Sequence, residues 1–134
     1  MLRRDLILVQ IEELGKVIAQ IISQRNSGAT RNIPKQIQVI YDSLKIDRNF
    51  LLTNSPQEIR NTLNRDDDGG ILRAEIAVKT LIEESYLFPE QKIELLSKAQ
   101  SILEYLQQTD TTFSLERISL LETINSLLTE EEQG

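Results

Sequence analysis

The sequence predicts an all-α fold: a helical bundle of about six helices that includes antiparallel hairpins. Apolar residues recur at steps of three and four, which is the period of a buried helix face. The apolar set is mostly Leu and Ile, with no Trp, three Phe and three Tyr. Five Gly and three Pro are too few for a turn-rich β protein. At 134 residues, with 40% hydrophobic and 27% charged residues, the chain is expected to form one domain over residues 1–134.

The first predicted helix covers residues 3 to about 25 and carries the clearest apolar seam. Leu6, Val9 and Val17 flank one side of this seam, and Leu8, Gly15 and Ile22 flank the other. The band is therefore wide enough that we expect the helix to be covered on two sides. Gly15 weakens the helix by roughly 1 kcal/mol, so it indicates either a close helix crossing or a chance occurrence. The seam itself consists of Ile7, Ile11, Leu14, Ile18 and Ile21.

Start and stop signals divide the rest of the chain. Residues 26–32 read as an exposed loop, and Pro34 suits the first turn of a second helix that ends near residue 45. Residues 50–52 form an apolar connector expected to enter the core. Ser55, Pro56 and Glu58 form a helix start, with a cap, a first-turn proline and a capping-box glutamate.

The C-terminal half is predicted to contain a hairpin and one further helix. Helix 71–86 is followed after a short link by a helix that Pro89 opens, so the two should pack antiparallel. Ser114 is expected to cap the last helix, with Phe113 packing on Ile118 as a hydrophobic staple. Three glutamates at 130–132 oppose the negative end of the helix dipole, which predicts fraying of residues 130–134.

Composition excludes several classes of chemistry. The chain has no Cys and no His, so thiolate zinc sites, cysteine nucleophiles and Glu-x-x-His di-iron sites are absent. Without the commonest general base, we expect no enzyme activity. The net charge of −6 argues against nucleic-acid partners and against anionic membrane surfaces. Asp5 and the polar residues after Val9 interrupt any signal-peptide or membrane segment, so no membrane association and a cytoplasmic location are expected.

Two adjacent carboxylate pairs, Glu12-Glu13 and Glu83-Glu84, are the remaining candidates for acid–base chemistry. Neighbouring residues on a helix point about 100° apart, so neither pair forms a catalytic dyad. We interpret both pairs as solvated helix faces.

Residues 64–75 meet every ligand position of an EF-hand calcium loop. Asn64, Asp66 and Asp68 occupy the side-chain positions 1, 3 and 5, and Gly70 occupies the carbonyl position 7. Gly69 stands at position 6, where a sharp turn is needed, and Glu75 at the bidentate position 12. The pattern predicts a Ca²⁺ site with Asn64, Asp66, Asp68, Gly70 and Glu75 as ligands.

A simpler interpretation of the same residues is a capped linker between two helices. Position 1 is Asn rather than Asp, which removes a charge, and no second loop of this kind is present. Asp67 or Asp68 would then accept hydrogen bonds from the free N–H groups near Ile71. We favour the linker and keep the calcium site as the alternative.

Several segments carry a resemblance to known helical proteins. The hairpin resembles tetratricopeptide repeats, with Ala77 and Ala99 available as small contact residues, although the Trp-x-x-Leu-Gly signature is absent. The whole chain resembles a family of short, uncharacterised bacterial helical proteins, which implies no particular activity. The segments that carry this second resemblance are Arg4-Asp5-Leu6-Ile7, Gln10-Ile11-Glu12, Ile18-Ala19 with Ile22, and Thr112-Phe113-Ser114-Leu115-Glu116-Arg117.

The sequence thus favours a non-enzymatic helical scaffold that binds a protein or peptide partner in a groove between helix pairs. The apolar residues on two sides of the first helix also suit a homodimer. The alternative is a calcium-binding protein that uses residues 64–75.

Overall fold

The computed structural model describes the backbone of residues 3–133 and the side chains of residues 5–132. Over this range the protein is all-helical and contains no strand, as predicted. The described chain forms seven α-helices and one 3₁₀ turn. In order these are α1 (Arg3–Ser27), α2 (Ile33–Leu44), α3 (Arg48–Thr53), α4 (Pro56–Asn64), α5 (Gly70–Leu87), the 3₁₀ turn (Pro89–Gln91), α6 (Lys92–Thr109) and α7 (Leu115–Gln133).

Helix α5 is the centre of the bundle. Twelve of its eighteen residues are buried, and it packs against α1, α2, α4 and α6. Its most extensive partner is α6, which follows the 3₁₀ turn and completes the predicted hairpin. Ala77 and Ala99 are fully buried in these two helices. A helix that is apolar on all sides belongs in the interior, and α5 lies there.

Helix α1 buries one face and leaves a second apolar face open. Ile7, Leu14, Ile18 and Ile21 are buried, which confirms the seam, and Ile11 is partly buried. The expectation of cover on two sides is wrong for the described chain. Leu6, Leu8, Val9 and Ile22 remain 37–57% exposed, because α1 packs mainly on α2 and α5.

Among the described helices, none crosses α1 closely at Gly15. A Cβ atom built on Gly15 would meet nothing within 4 Å. The space beside this glycine is therefore open, and intramolecular packing does not account for it.

The predicted connector at residues 50–52 is a short helix, α3, and it raises the number of helices from six to seven. The Asp47 carboxylate accepts a hydrogen bond from the N–H of Phe50 at 2.7 Å and so caps the helix. Leu51 enters the core as expected and is fully buried. Helix α2 ends one residue earlier than predicted, because Lys45 adopts a left-handed conformation with φ of 60°.

The caps agree with the sequence, whereas the staple does not. Ser55 Oγ accepts from the N–H of Glu58 at 3.1 Å, and Ser114 Oγ accepts from the N–H of Arg117 at 3.2 Å. Phe113, however, is 72% exposed and does not pack as a staple. The side chain buried at the start of α7 is that of Arg117.

Helix α7 includes most of the acidic C-terminal segment, and the fraying of residues 130–134 stays a prediction. Helix α7 continues through Glu130–Glu132 to Gln133, and Gly134 lies outside the described residues. Glu131 lies 3.9 Å from the Lys92 ammonium group, and Leu127 and Leu128 pack against the core one turn earlier. These contacts oppose the unfavourable interaction of the glutamates with the helix dipole.

Candidate functional site

The loop between α4 and α5 brings together three of the five residues predicted to bind calcium. The Asn64 amide donates to Asp68 Oδ1 at 3.3 Å and accepts from the N–H of Gly70 at 3.0 Å. Asn64 thereby caps α5 from the end of α4. Asp68 has a positive φ of 59°, and Asp66 is exposed. Asn64, Asp68 and Gly70 thus hydrogen-bond to one another, as expected of a helix cap.

Asp67, which is not an EF-hand ligand, accepts three hydrogen bonds in the loop. It accepts from the N–H of Gly69 at 3.0 Å, as the capped-linker interpretation predicts. Arg73, one turn into α5, donates two hydrogen bonds to the same carboxylate, one of them at 2.7 Å. The Arg73 guanidinium lowers the pKa of Asp67 to about 2. Arg73 also donates to Gln10 in α1 at 3.0 Å, so the loop is tied to the first helix.

Glu75, the predicted bidentate ligand, is bonded to α7 instead of the loop. Its carboxylate accepts from Arg117 Nη1 at 3.2 Å. Burial raises the pKa of Glu75, and Arg117 opposes that increase. Among the described residues, no group of three or more Asp, Glu, His or Cys side chains is placed so that it could hold a metal ion. The calcium site stays a prediction from sequence, and this geometry favours the capped linker.

Close packing explains one glycine of the loop without any metal. A Cβ atom on Gly70 would lie 2.6 Å from the Arg60 carbonyl oxygen and 3.0 Å from the Asn64 Cα. Both are backbone atoms, which cannot move aside cheaply. Gly70 therefore allows the end of α4 to approach the start of α5.

An apolar groove of about 430 Å³ lies between α1 and α7, over α5. The wall from α1 includes Gly15, Ala19 and Ile22, and the wall from α7 includes Leu120 and Thr123. The floor comes from α5 and is formed mainly by Ile82 and Tyr86. Ile22 and Tyr86 are 37% and 38% exposed, so apolar surface is open to solvent within the groove.

The charged groups that line the groove are paired with each other. Arg25 donates to both carboxylate oxygens of Glu83, at 2.8 and 3.3 Å, and its guanidinium lies 3.9 Å from the centroid of the Tyr86 ring. Lys79 lies 2.6 Å from a carboxylate oxygen of Glu116. The two ion pairs link α5 to α1 and to α7, respectively. Because their charges are matched, the groove offers apolar contact more than a charged binding site.

A second cavity, of about 560 Å³, has Glu84 in its lining together with Tyr41, Arg48 and Phe88. Tyr41 donates to Glu84, and Arg48 donates to the other oxygen of that carboxylate at 3.2 Å. Arg48 also lies 4.6 Å from the centroid of the Phe88 ring. Burial raises the pKa of both Tyr41 and Glu84. This network joins α2, α3 and α5, and its carboxylate is satisfied by protein groups.

The interpretation of Glu83-Glu84 as a solvated face is wrong. Both residues are 4% exposed, whereas Glu12 and Glu13 are solvated as expected. The two buried carboxylates point to different helices, so the argument against a dyad holds. The apolar residues on every side of α5 are the sequence signal for this burial, because a fully buried helix must pair its charges. Their arginine partners, Arg25 and Arg48, could not be assigned from spacing.

No helix in the described part of the chain is both long enough and apolar enough to cross a membrane.

Comparisons with models of known protein families, with curated proteins and with solved structures gave no match to this chain.

Proposed function

We propose that this protein is a non-enzymatic, cytoplasmic helical scaffold that binds an apolar helical segment of a protein partner in the groove between α1, α5 and α7. The observation that carries this proposal is the groove itself. It is open, it is walled by two helices, and its charged residues are matched in ion pairs. A helix with an apolar stripe supplies the complementary surface.

The packing around the groove supports a scaffold more than a mobile device. Its floor belongs to α5, which is the most buried helix of the bundle. Its two walls are tied to that floor by Arg25–Glu83 and Lys79–Glu116. A groove held in place before binding loses less conformational entropy when a partner enters.

The hairpin of α5 and α6 adds a second line of support. Ala77 and Ala99 are fully buried in these two helices, as the small contact residues of a tetratricopeptide-like hairpin would be. Proteins built from such hairpins bind partners along a surface formed by successive helices. The resemblance to short bacterial helical proteins is part of the same proposal and assigns no reaction.

Selection of helical peptides from a displayed library tests the proposal. Wild-type protein is immobilised at low density, and the selected peptides are then tested on two variants. Ala19→Glu places a charge in the groove, whereas Val39→Glu places one on an exposed residue of α2 outside it. We expect peptides with an apolar i, i+3, i+4, i+7 stripe that bind Ala19→Glu at least tenfold more weakly and bind Val39→Glu unchanged.

Circular dichroism of both variants checks that the fold is retained. If every selected peptide binds Ala19→Glu as tightly as it binds the wild type, the groove is not the binding site and the proposal fails.

A further inference from the structure

One exposed face of α1 combines two features: the apolar side chain of Leu8 projects from it, and Gly15, Ala19 and Ile22 on it border the groove. Leu8, Gly15 and Ile22 recur every seven residues, so they lie along one side of the helix. Gly15, Ala19 and Ile22 line the groove, whereas Leu8 lies two turns before it and is 46% exposed. The N-terminal half of this face therefore projects into solvent, and the C-terminal half borders a cavity.

These two halves are complementary in an antiparallel pair of α1 helices. A two-fold axis at Gly15 places residue 8 of each helix opposite residue 22 of the other. Leu8 of each copy then enters the groove of the other copy, beside Ala19 and Ile22. Gly15 lies at the crossing, where no other part of the described chain comes within 4 Å of its Cβ position, so there is room for a second backbone.

The charges along the edge of this face favour the same arrangement. Glu12 and Lys16 are 72% and 71% exposed at the side chain and lie 3.6 Å apart within the helix. Around a two-fold axis at Gly15, Glu12 of one copy lies close to Lys16 of the other, and the reciprocal pair forms as well. A parallel pair would instead place the edges that carry Glu12 and Lys16 on opposite sides of the interface, where these pairs cannot form.

We propose that the protein forms a homodimer in which the α1 helices pair antiparallel about Gly15 and Leu8 of each copy fills the groove of the other. This inference rests on the proposed function, since it names a second copy of the chain as the helix that the groove binds. The interface is isologous, so one surface supplies both the projection and the cavity.

The expected dimer is a weak one. A helix of 25 residues is about 37 Å long, and the single face that it offers is smaller than the roughly 800 Å² per partner of a stable interface. We therefore expect dissociation in the micromolar range, and the test must cover concentrations from about 1 to 500 μM.

Cysteine cross-linking tests the geometry, because the natural chain contains no Cys. In the Gly15→Cys variant the two new thiols meet at the two-fold axis, within the reach of a disulfide. In Leu8→Cys they are separated by 14 residues of helix, or about 21 Å. Val39→Cys, on an exposed residue of α2, reports random collision. We expect Gly15→Cys to form a covalent dimer at least tenfold faster than either other variant.

Equal rates for Gly15→Cys and Val39→Cys would overturn the proposal. Rapid cross-linking of Leu8→Cys together with Gly15→Cys would indicate a parallel pair and would also overturn the proposed geometry.

A charge exchange supplies a test that leaves the helix face intact. Glu12→Lys and Lys16→Glu each place like charges across the two-fold axis, so each variant alone should dimerise several-fold more weakly than the wild type. An equimolar mixture of the two variants restores both ion pairs in a heterodimer. Sedimentation equilibrium should therefore detect more dimer in the mixture than in either separate solution. No gain on mixing would contradict the proposed register.

The outcomes separate this inference from the proposed function. If peptides bind specifically in the groove but the Gly15→Cys protein stays monomeric, the homodimer proposal is wrong and the proposed scaffold function stands. If the dimer cross-links but no peptide binds specifically in the groove, the groove binds only a second copy of the chain, and the proposal of other partners is wrong.

Discussion

Helices α1 and α7 form the two walls of one groove, but they are attached to the bundle by different forces. Helix α1 is attached mainly by an apolar seam that packs on α2 and α5. Helix α7 buries Ile124 and Leu127 and packs mainly on α6. Its first turn is fixed by Arg117, which is 2% exposed and surrounded by polar partners.

The contacts of Arg117 show how strongly the position of α7 depends on charge. Its guanidinium lies 2.9 Å from the Asp110 carboxylate and 3.2 Å from that of Glu75. It also donates to Gln107 at 2.6 Å and to the Thr112 carbonyl at 2.9 Å. An apolar seam tolerates small shifts, whereas a buried charge requires each partner in place. The α7 wall is thus the more specifically placed of the two and the more sensitive to substitution.

The largest effect should come from removing this charge. Arg117→Met leaves the Glu75 and Asp110 carboxylates without their buried partner, and we expect the free energy of unfolding to fall by about 3–5 kcal/mol. Urea denaturation at pH 7 measures the change, with exposed Arg31→Met as the matched control. A loss below about 1 kcal/mol would mean that the network does not anchor α7.

Truncation of the α1 seam should have a somewhat smaller effect with a different dependence on pH. Ile21 is 1% exposed, and Ile21→Ala should lower the free energy of unfolding by about 2–4 kcal/mol through lost burial and a residual cavity. Because no charge is involved, the loss should be equal at pH 7 and pH 4.5. The loss in Arg117→Met should shrink as acid protonates the carboxylates. If the stability loss changes with pH in the same way in both variants, the conclusion that α1 is held by apolar packing and α7 by charge is wrong.

Acid should also weaken the charged contact that joins α1 to the α4–α5 loop. The pKa of Asp67 is lowered to about 2 by Arg73, which also binds Gln10 of α1. A carboxylate whose folded pKa is lowered stabilises the fold above its unfolded pKa, near 4, and that contribution is lost as the pH falls from about 4 to 2. Asp67→Asn should remove about 1–2 kcal/mol at pH 7 and almost nothing at pH 2. Chemical denaturation across this pH range measures the difference in stability between the wild type and Asp67→Asn. A difference that does not change with pH would contradict the stabilising role of the Asp67 carboxylate.

Loss of the α7 cap should have a modest effect. Ser114 Oγ accepts from the N–H of Arg117, and Ser114→Ala should lower stability by about 1 kcal/mol. Ser114→Gly should cost less, because glycine is also accepted at this position. Equal losses for the two substitutions would point to a role other than capping.

Calcium should have the smallest effect of all. Glu75 is bonded to Arg117, so a metal at residues 64–75 would have to break an anchor of α7. We expect millimolar calcium to change the melting temperature no more than magnesium does. A calcium-selective rise of several degrees, abolished in Glu75→Gln, would instead establish the site. Calcium at 100 times its dissociation constant would stabilise the fold by about 2.7 kcal/mol.

The sequence predicts the helices well because apolar spacing and caps are local signals. The seam of α1, the caps at Ser55 and Ser114, and the α5–α6 hairpin follow from such signals. The burial of Glu83, Glu84 and Arg117 does not, because their partners come from other helices. Glu83 and Arg25 are separated by 58 positions, and only the tertiary fold brings them together. A groove between helix pairs is expected from the sequence, but its place between α1 and α7 is not, since it depends on how far these two helices stand apart.

The long sequence separation between Arg25 and Glu83 has a consequence for co-translational folding on the ribosome. Helix α1 is synthesised before α5, and the part of its seam that packs on α5 gains this cover only after the 58 positions between Arg25 and Glu83. At about 5–20 residues per second, that interval lasts roughly 3–12 s. During this time the α1 residues that pack on α5 remain without that cover. Slowing elongation between α1 and α5 should therefore increase the demand for chaperones, and fast translation of this region should relieve it.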